Sequence, residues 1–347
     1  MGPAAKATGS ALDVPFIDIS GWENGPGAQP AIAARMDAAA ADTGLMRIAG
    51  HGIPENIHAG IADAIDLFFD RPPAAKLRYL AAEPDLDRGY APPGPAHPES
   101  FRIGTRADDF PDRALPAEIY PDNIWPVGLP RFQPQVMAWF DAAQRLARRL
   151  TRICAVALDL PEGFFEPYTG HSIDTLRLDH GVPALLGPGA RGPGPAGAGT
   201  PAGAGTPAGA GRTDIGLLRI LWSDPGGGLQ FGDEQGRWHD VEPWPGTLLV
   251  NVGDLLARWT NDRWLSVPHR VVPADGPAPA AGHRRSAALT HGGDFDALVT
   301  TLPTCVGADR PDYYEPVTIA GHIAAKLGGR RWERIVGPRP VIAPLDT

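Results

Sequence analysis

The feature that most restricts the fold is a change of pattern near the middle of the chain. Residues 133–158 carry apolar side chains three and four positions apart, the spacing of a long helix with one buried face. Short β-type runs bounded by turn residues follow at Thr175–Leu178, Ile215–Leu221, Gly228–Phe231, Thr247–Val252, Ser266–Val272 and Ser286–Thr290. Helices first and strands later predict an α+β fold whose strands form a sandwich or jelly roll, with the long helix packed along it.

The first half of the chain reads as a smaller mixed region. It predicts strands at Val14–Ile19 and Gly44–Ala49, and helices over 31–41 and 56–69. A segment rich in Pro, Gly and Asp then runs to Pro126 and is expected to be irregular. We therefore divide the chain into an N-terminal region (13–126), a helix with the β core (127–330) and a tail (331–347).

A low-complexity segment interrupts the β half. Residues 195–211 consist of near-identical Pro-Ala-Gly-Ala-Gly units, and the whole stretch 183–211 holds a single charged residue, Arg191. Such a sequence has almost no side chain to bury, so it predicts a mobile loop. Removing the two repeats of 200–211 is expected to change stability little, because closure entropy grows slowly with loop length.

Composition excludes several classes of protein. The net charge is −9 with no basic stripe, which argues against a nucleic-acid partner. No apolar run approaches the roughly 18 residues of a membrane span, so no membrane partner is expected. The two cysteines, Cys154 and Cys305, cannot build a disulfide framework. These features predict a cytoplasmic protein, and they leave its oligomeric state open.

Several motifs, met in one consistent order from about residue 13 to residue 325, identify a family resemblance. The matching segments are Val14–Ile19, Thr43–Pro54, Arg88–Tyr90, Asn123–Pro126, Thr213–Leu218, Pro245–Asp254, Ser266–Val271, Arg284–Ser286 and Tyr314–Thr318. Together they resemble the isopenicillin N synthase-like branch of the Fe(II)- and 2-oxoglutarate-dependent oxygenases. The resemblance implies a double-stranded β-helix, Fe(II) as metal, 2-oxoglutarate as co-substrate, and oxidation of a small molecule in specialised metabolism.

The family holds iron with a His-x-Asp pair and a later His, and only part of this set is present. Asp214 occupies the carboxylate position, and His269 follows 55 residues later in the expected Val-Pro-His-Arg-Val context. Arg212 stands where the family has its first His, and a guanidinium offers no lone pair to a metal. Two arrangements of the Arg212 side chain are possible. It either forms an ion pair with Asp214, which replaces the charge of the metal, or it points to solvent.

The co-substrate motif is also mixed. Arg284 and Ser286 match the Arg-x-Ser pair that holds the distal carboxylate of 2-oxoglutarate in the family. The alternative is that Arg284 belongs to a solvated, basic strand end. Upstream, Asp179 and Gly181 replace the Asn and Tyr that the family commonly carries.

Two other histidines on β runs, His180 and His291, are candidate replacement ligands. Strand alternation points His180 away from the face that carries Asp179, and it points His291 away from the face of Ser286. Both are therefore expected to lie outside the metal site.

Two classes of function remain open. The first is an iron oxidoreductase in which Asp214, His269 and a substitute ligand hold the metal, oxygen is activated, 2-oxoglutarate is decarboxylated and hydrogen is abstracted from the substrate. The second is a repurposed, iron-independent barrel, either a binding protein or a redox-neutral lyase, isomerase or cyclase. There Arg212 and Arg284 would hold an anion, and Asp214 or His269 would act as acid or base.

Overall fold

The computed structural model describes residues 12–25, 27–81, 88–94, 97–181, 211–225, 228–233, 235–272 and 283–327. Its helices are α1 (Gln29–Asp42), α2 (Glu55–Phe69), α3 (Pro73–Lys76), α4 (Phe132–Ala157), α5 (Asp254–Trp259) and α6 (Ile319–Leu327). Its strands are β1 (Phe16–Asp18), β2 (Leu45–Ala49), β3 (Gly89–Ala91), β4 (Glu99–Gly104), β5 (Thr175–His180), β6 (Leu218–Ser223), β7 (Leu229–Gly232), β8 (Trp238–Asp240), β9 (Leu248–Val252), β10 (His269–Val271), β11 (Arg285–His291), β12 (Leu298–Val299) and β13 (Val317–Thr318).

Most strands form a large sheet and a small sheet whose facing sides pack together, and β12 pairs separately with β13. The large sheet has the order β1-β2-β9-β6-β11-β5-β4-β3, and the small one has the order β10-β7-β8. Side chains of both sheets, such as Leu221 and Leu249 from the large one and Phe231 from the small one, pack into a single buried cluster. This arrangement confirms the predicted α+β jelly roll.

The other face of the large sheet is covered by helices. Because strand side chains alternate, Ile220 and Leu289 point away from the small sheet and join the main core with α2 and α4. The apolar stripe of α4, including Trp139 and Leu150, is fully buried there. The predicted packing of the long helix along the sheet is thus confirmed. No helix of the described ranges is both long enough and apolar enough to cross a bilayer.

The prediction that the segment up to Pro126 is irregular was wrong in part. It contains β3 and β4, which extend the large sheet beyond β5. Residues 99–104 alternate in the way a strand requires, with Phe101 and Ile103 buried on the helix side, but the Pro- and Gly-rich flanks hide this short pattern. Strand β8 was also not predicted.

The proposed division of the chain stays a prediction. Strands β1 to β4 of the N-terminal region are part of the same sheet as the strands of the 127–330 core, so the boundary at 126/127 crosses a continuous sheet. The 183–211 loop, except Gly211, and the 331–347 tail lie outside the described residues.

Shortening a side chain at the interface of α4 and the sheet is expected to be costly. Leu150 is fully buried, so Leu150→Ala leaves a cavity in the main core. We expect the free energy of unfolding in a denaturant titration to fall by about 2–5 kcal/mol. Leu77→Ala is the matched control, since Leu77 is 51% exposed and should change the same quantity little. Equal losses in the two variants would contradict the described packing.

Candidate active site

The inner face of the large sheet, which looks toward the small sheet, carries a cluster of charged side chains. Antiparallel pairing aligns Ser286 with Asp179 on one neighbour and Ser223 on the other, so the three side chains share this face. Arg177 and Arg219 occupy further positions on the same face. Charged groups inside a barrel are expensive to bury unless they are paired or bind a ligand, so this face is the candidate site.

Asp214 and His269 lie side by side at one end of this face. His269 Nδ1 is 3.6 Å from Asp214 Oδ2. The neighbouring backbone fixes the arrangement, because Arg212 and His269 exchange two backbone hydrogen bonds of 3.0 and 2.9 Å. Asp254, at the start of α5, donates its backbone N–H to the Asp214 carbonyl at 2.8 Å. The structure therefore brings together the two residues that the sequence assigned to one metal site.

Two glycines allow the backbone of this loop to pack closely. A Cβ on Gly253 would lie 2.1 Å from the carbonyl oxygen of Gly216. A Cβ on Gly216 would lie 2.5 Å from the carbonyl oxygen of His291. Any larger residue at either position would have to displace backbone next to Asp214, so the glycines fix where the carboxylate sits.

Both oxygens of Asp214 accept hydrogen bonds within the protein. Arg219 Nη1 donates to Oδ1 at 2.7 Å, and Asn251 Nδ2 donates to Oδ2 at 2.6 Å. Burial alone would raise the pKa of Asp214, but Arg219, His269 and Asn251 hold that pKa far below its usual range. The carboxylate is therefore ionised, and its remaining lone pairs are available to a cation.

Arg212 does not make the ion pair that one of the sequence hypotheses gave it. Within the described part of the chain, no ion pair joins Arg212 to Asp214, and the Arg212 side chain is exposed. Arg219 makes that ion pair instead. Sequence reasoning missed Arg219, although a single charge inside the apolar run 215–221 was a usable signal.

Removing the Arg219 charge is expected to destabilise the protein in a pH-dependent way. Arg219→Met leaves a buried carboxylate without its ion-pair partner, which costs about 3–5 kcal/mol of unfolding free energy at neutral pH. The folded-state pKa of Asp214 is depressed, so the stability this pair contributes is present above the unfolded pKa and is lost as the pH falls. The difference in unfolding free energy between Arg219→Met and the unsubstituted protein should therefore become smaller below about pH 4. Arg219→Lys is the control, and an equal loss in both variants would contradict the ion-pair account.

The His269 imidazole is buried, and its ring nitrogens are not engaged by described residues. Neither ring nitrogen has a hydrogen-bond partner among the described residues, although Phe231 lies beside the ring at a centroid distance of 5.5 Å. Burial, assisted by the charges of Arg219 and Arg212, lowers the pKa of His269 to about 4 despite the opposing influence of Asp214. The imidazole is thus neutral at pH 7 and has a lone pair available to a metal.

Arg284 and Ser286 form a second polar pair on the inner face. Arg284 Nη1 donates to Ser286 Oγ at 3.0 Å, and both residues are almost completely buried. Within the described ranges no carboxylate forms an ion pair with Arg284, whereas Asp179 is taken by Arg177 at 2.6 Å. The burial of Arg284 excludes the solvated strand end considered above. A guanidinium has the planar donor geometry that matches a carboxylate.

The residues of the inner face fit 2-oxoglutarate better than they fit Fe(II). The Arg284–Ser286 pair offers a guanidinium and a hydroxyl, which are suitable hydrogen-bond donors for a carboxylate. For Fe(II), Asp214 and the unpartnered nitrogens of His269 supply two donors, and Arg212 supplies none. The chain therefore fits an iron site with two protein ligands rather than a complete facial triad.

Neither replacement histidine faces this site. His180 Nδ1 contacts Glu99 Oε1 at 2.8 Å on the helix side of the sheet. His291 is buried, with Nδ1 at 2.8 Å from Asp174 Oδ1. Both side chains point as strand alternation predicts.

Comparisons with known proteins place the chain in a family. The model of the 2OG-Fe(II) oxygenase superfamily matches residues 205–292, and the model described as non-haem dioxygenase in morphine synthesis N-terminal matches residues 14–127. Leucoanthocyanidin dioxygenase 1 of Oryza sativa subsp. indica is 30% identical over 271 residues, which cover 77% of this chain and 69% of the relative. The chain belongs to the 2OG-Fe(II) oxygenase superfamily. Its function is that of a 2-oxoglutarate/Fe(II)-dependent oxygenase-like oxidoreductase acting on a small molecule, so the redox-neutral alternative is not favoured.

Other members of this superfamily align along most of the chain. The 2-oxoglutarate-Fe(II) type oxidoreductase ppzC of Metarhizium majus is 28% identical, with 91% of this chain and 87% of the relative covered. Validamycin A dioxygenase of Streptomyces hygroscopicus subsp. limoneus is 29% identical, with 77% and 73% covered.

Solved structures confirm the fold. A full-length Neurospora crassa protein, crystallised in complex with alpha-KG and 5-formyluracil, superposes with a TM-score of 0.75 at 24% identity, covering 93% of this chain and 98% of that one. The rice dioxygenase for auxin oxidation superposes with a TM-score of 0.66 at 26% identity, covering 94% and 97%. The double-stranded β-helix predicted from the sequence is the fold of these proteins.

Proposed function

We propose that this oxidoreductase works at the inner face described above, with Arg284 and Ser286 holding the distal carboxylate of 2-oxoglutarate and with Asp214 and His269 as the protein ligands of Fe(II). The observation that carries the proposal is the buried Arg284–Ser286 pair, which has no carboxylate partner in the described structure. It lies on the same face of the sheet as the side chains around Asp214.

Each residue has a defined task in this proposal. Arg284 binds and orients the co-substrate through a bidentate, charge-assisted contact, and Ser286 adds a hydroxyl donor. His269 is kept neutral by burial, and Asp214 is kept anionic by Arg219 and Asn251. When bound, Fe(II) with 2-oxoglutarate and oxygen supplies the oxidising chemistry of the superfamily.

The substrate is proposed to be a small molecule of specialised metabolism. Ser223 pairs in register with Ser286, so its side chain lies on the same face of the sheet as the co-substrate pair. Validamycin A dioxygenase, a relative, bears the name of such a small molecule. A cytoplasmic location and the lack of a nucleic-acid or membrane partner stay predictions from composition.

Succinate formation tests the proposal. Chelator-treated protein is loaded with Fe(II) without oxygen, mixed with 2-oxoglutarate, and exposed to air while succinate is measured. We expect iron-dependent succinate formation that His269→Gln and Asp214→Asn abolish while circular dichroism shows that both variants remain folded. Succinate formation that survives both substitutions would overturn the assignment of the iron ligands. Binding of 2-oxoglutarate without any succinate at saturating iron would favour the iron-independent barrel.

A further inference from the structure

A second cluster of metal-binding side chains lies on the opposite, helix-facing side of the large sheet. Asp70 follows the end of α2, His180 ends β5, and His283 lies two residues before the start of β11. Each residue offers one ligand atom, and these atoms all lie within 4.8 Å of one another. Three chain segments far apart in sequence thus present two imidazoles and one carboxylate to a common point.

His180 is held in the orientation that a metal ligand needs. Its Nδ1 lies 2.8 Å from Glu99 Oε1, and its ring stacks on Phe69 with a centroid distance of 5.1 Å. Glu99 Oε2 in turn accepts hydrogen bonds from Lys76 Nζ at 2.6 Å and from the Tyr90 hydroxyl at 2.9 Å, which fixes the carboxylate. Because Glu99 lies on the Nδ1 side of the ring, Nε2 is the nitrogen that remains for a metal.

This second ring nitrogen is not engaged by any residue that the structure describes. His180 Nε2 is buried and makes no hydrogen bond among the described residues. A buried polar atom without a partner is costly, and a bound cation would remove the cost. A carboxylate that orients a histidine from its far nitrogen is also the usual outer partner of a metal ligand.

The other two members leave a coordination position open to solvent. The ring centroid of His283 is 3.8 Å from that of His180, and His283 Nε2 makes only a long, 3.5 Å contact with Asp66. Asp70 is exposed, and no ion pair of Asp70 is found in the described part of the chain. By contrast, the nearby Arg285 is already engaged by Asp66 and Asp224.

We propose that Asp70, His180 and His283 form a second metal site, specific for a divalent transition ion such as Zn²⁺ and separate from the site of Asp214 and His269. Two imidazoles with one carboxylate suit Zn²⁺, Fe²⁺, Co²⁺ or Ni²⁺, whereas Ca²⁺ and Mg²⁺ prefer oxygen ligands. The metal links the end of α2 to the strand ends next to Asp179 and Arg284. It therefore stabilises the part of the sheet that carries Arg284 and Ser286 on its other face.

Equilibrium dialysis of the full chain against Zn²⁺ tests this site. The protein carries no affinity tag and is first treated with chelator. We expect His180→Gln and His283→Gln each to bind one equivalent of Zn²⁺ less than the unsubstituted protein at micromolar free metal. His97→Gln is the matched control, since His97 lies outside the cluster, and it should bind as the unsubstituted protein does.

Two further variants keep the test decisive if a buried histidine variant fails to fold. Asp70 is exposed, so Asp70→Asn should fold normally and weaken Zn²⁺ binding by about 10-fold or more. His269→Gln removes a donor of the other site and should leave this equivalent in place. The proposal is overturned if Asp70→Asn binds Zn²⁺ as tightly as the unsubstituted protein. It is equally overturned if His269→Gln removes the only equivalent bound.

Discussion

Arg212→His is expected to bind Fe(II) at least about 10–100-fold more tightly than the unsubstituted protein, because a third direct ligand should contribute no less than an outer-shell partner does. The change removes a cation from beside His269 and puts a neutral imidazole two residues before Asp214, where the family has its first ligand. The backbone pairing of residue 212 with His269 already places this position next to the second donor. The measurement is an anaerobic titration with Fe(II), followed by its effect on thermal unfolding.

Arg212→Gln separates the two contributions of this substitution. It removes the positive charge without adding a ligand, so it should gain only a small part of the affinity. The titrations are best done in a His180→Gln background, because iron bound at the outer cluster (Asp70, His180 and His283) would otherwise be counted as well. Equal, tight binding by the His, Gln and unsubstituted forms would contradict the two-ligand site.

Arg284→Met is expected to weaken 2-oxoglutarate binding by about 30-fold or more. Removing one partner of a buried charge pair costs about 2–5 kcal/mol, and each 1.4 kcal/mol is a factor of ten in affinity. The Arg284 guanidinium is buried and hydrogen-bonded only to Ser286 in the described structure, so no neighbouring carboxylate holds it before the co-substrate arrives. Isothermal titration calorimetry measures the effect directly.

Two controls define what the guanidinium contributes. Arg284→Lys keeps the charge but loses the planar fork, so it should bind 2-oxoglutarate with intermediate affinity. Arg131→Met removes an exposed arginine and should leave the affinity unchanged. If Arg284→Met binds 2-oxoglutarate as tightly as Arg131→Met does, another cation of the inner face holds the carboxylate.

The sequence predicted the parts of the fold that show a long or regular pattern. Helix α4 was predicted within one residue at each end, because its apolar stripe repeats over seven turns and packs against a continuous sheet. Strand β4 was not predicted, since six residues of alternation between Pro- and Gly-rich flanks are too short to stand out. Its place in the sheet depends on pairing with β5, which the sequence does not show locally.

The sequence predicted those site residues that belong to a recognisable family motif. Asp214 and His269 were named from their context and lie together, but the partner of Asp214 was not predicted. Arg219 reaches Asp214 because β6 alternates its side chains and continues from the loop that carries the carboxylate. Such a pair depends on the tertiary arrangement, whereas sequence proximity favours Arg212, which lies only two residues from Asp214.

The outer cluster shows a different limit of sequence reasoning. His180 was correctly predicted to point away from the barrel interior, and the same alternation brings it to α2. Its neighbours Asp70 and His283 are distant along the chain, and no spacing links the three residues. Only the register of β5 with β4 and β11 brings Glu99 and the strand end before Arg285 alongside His180.

Locating iron in crystals tests the proposed centre most directly. Crystals grown without oxygen in the presence of Fe(II) and 2-oxoglutarate can be measured on both sides of the iron absorption edge. We predict an anomalous peak in contact with Asp214 and His269, no contact with Arg212, and the distal carboxylate of 2-oxoglutarate on Arg284. An anomalous peak at Asp70, His180 and His283 alone, with an anion or water between Asp214 and His269, would contradict the proposed iron site.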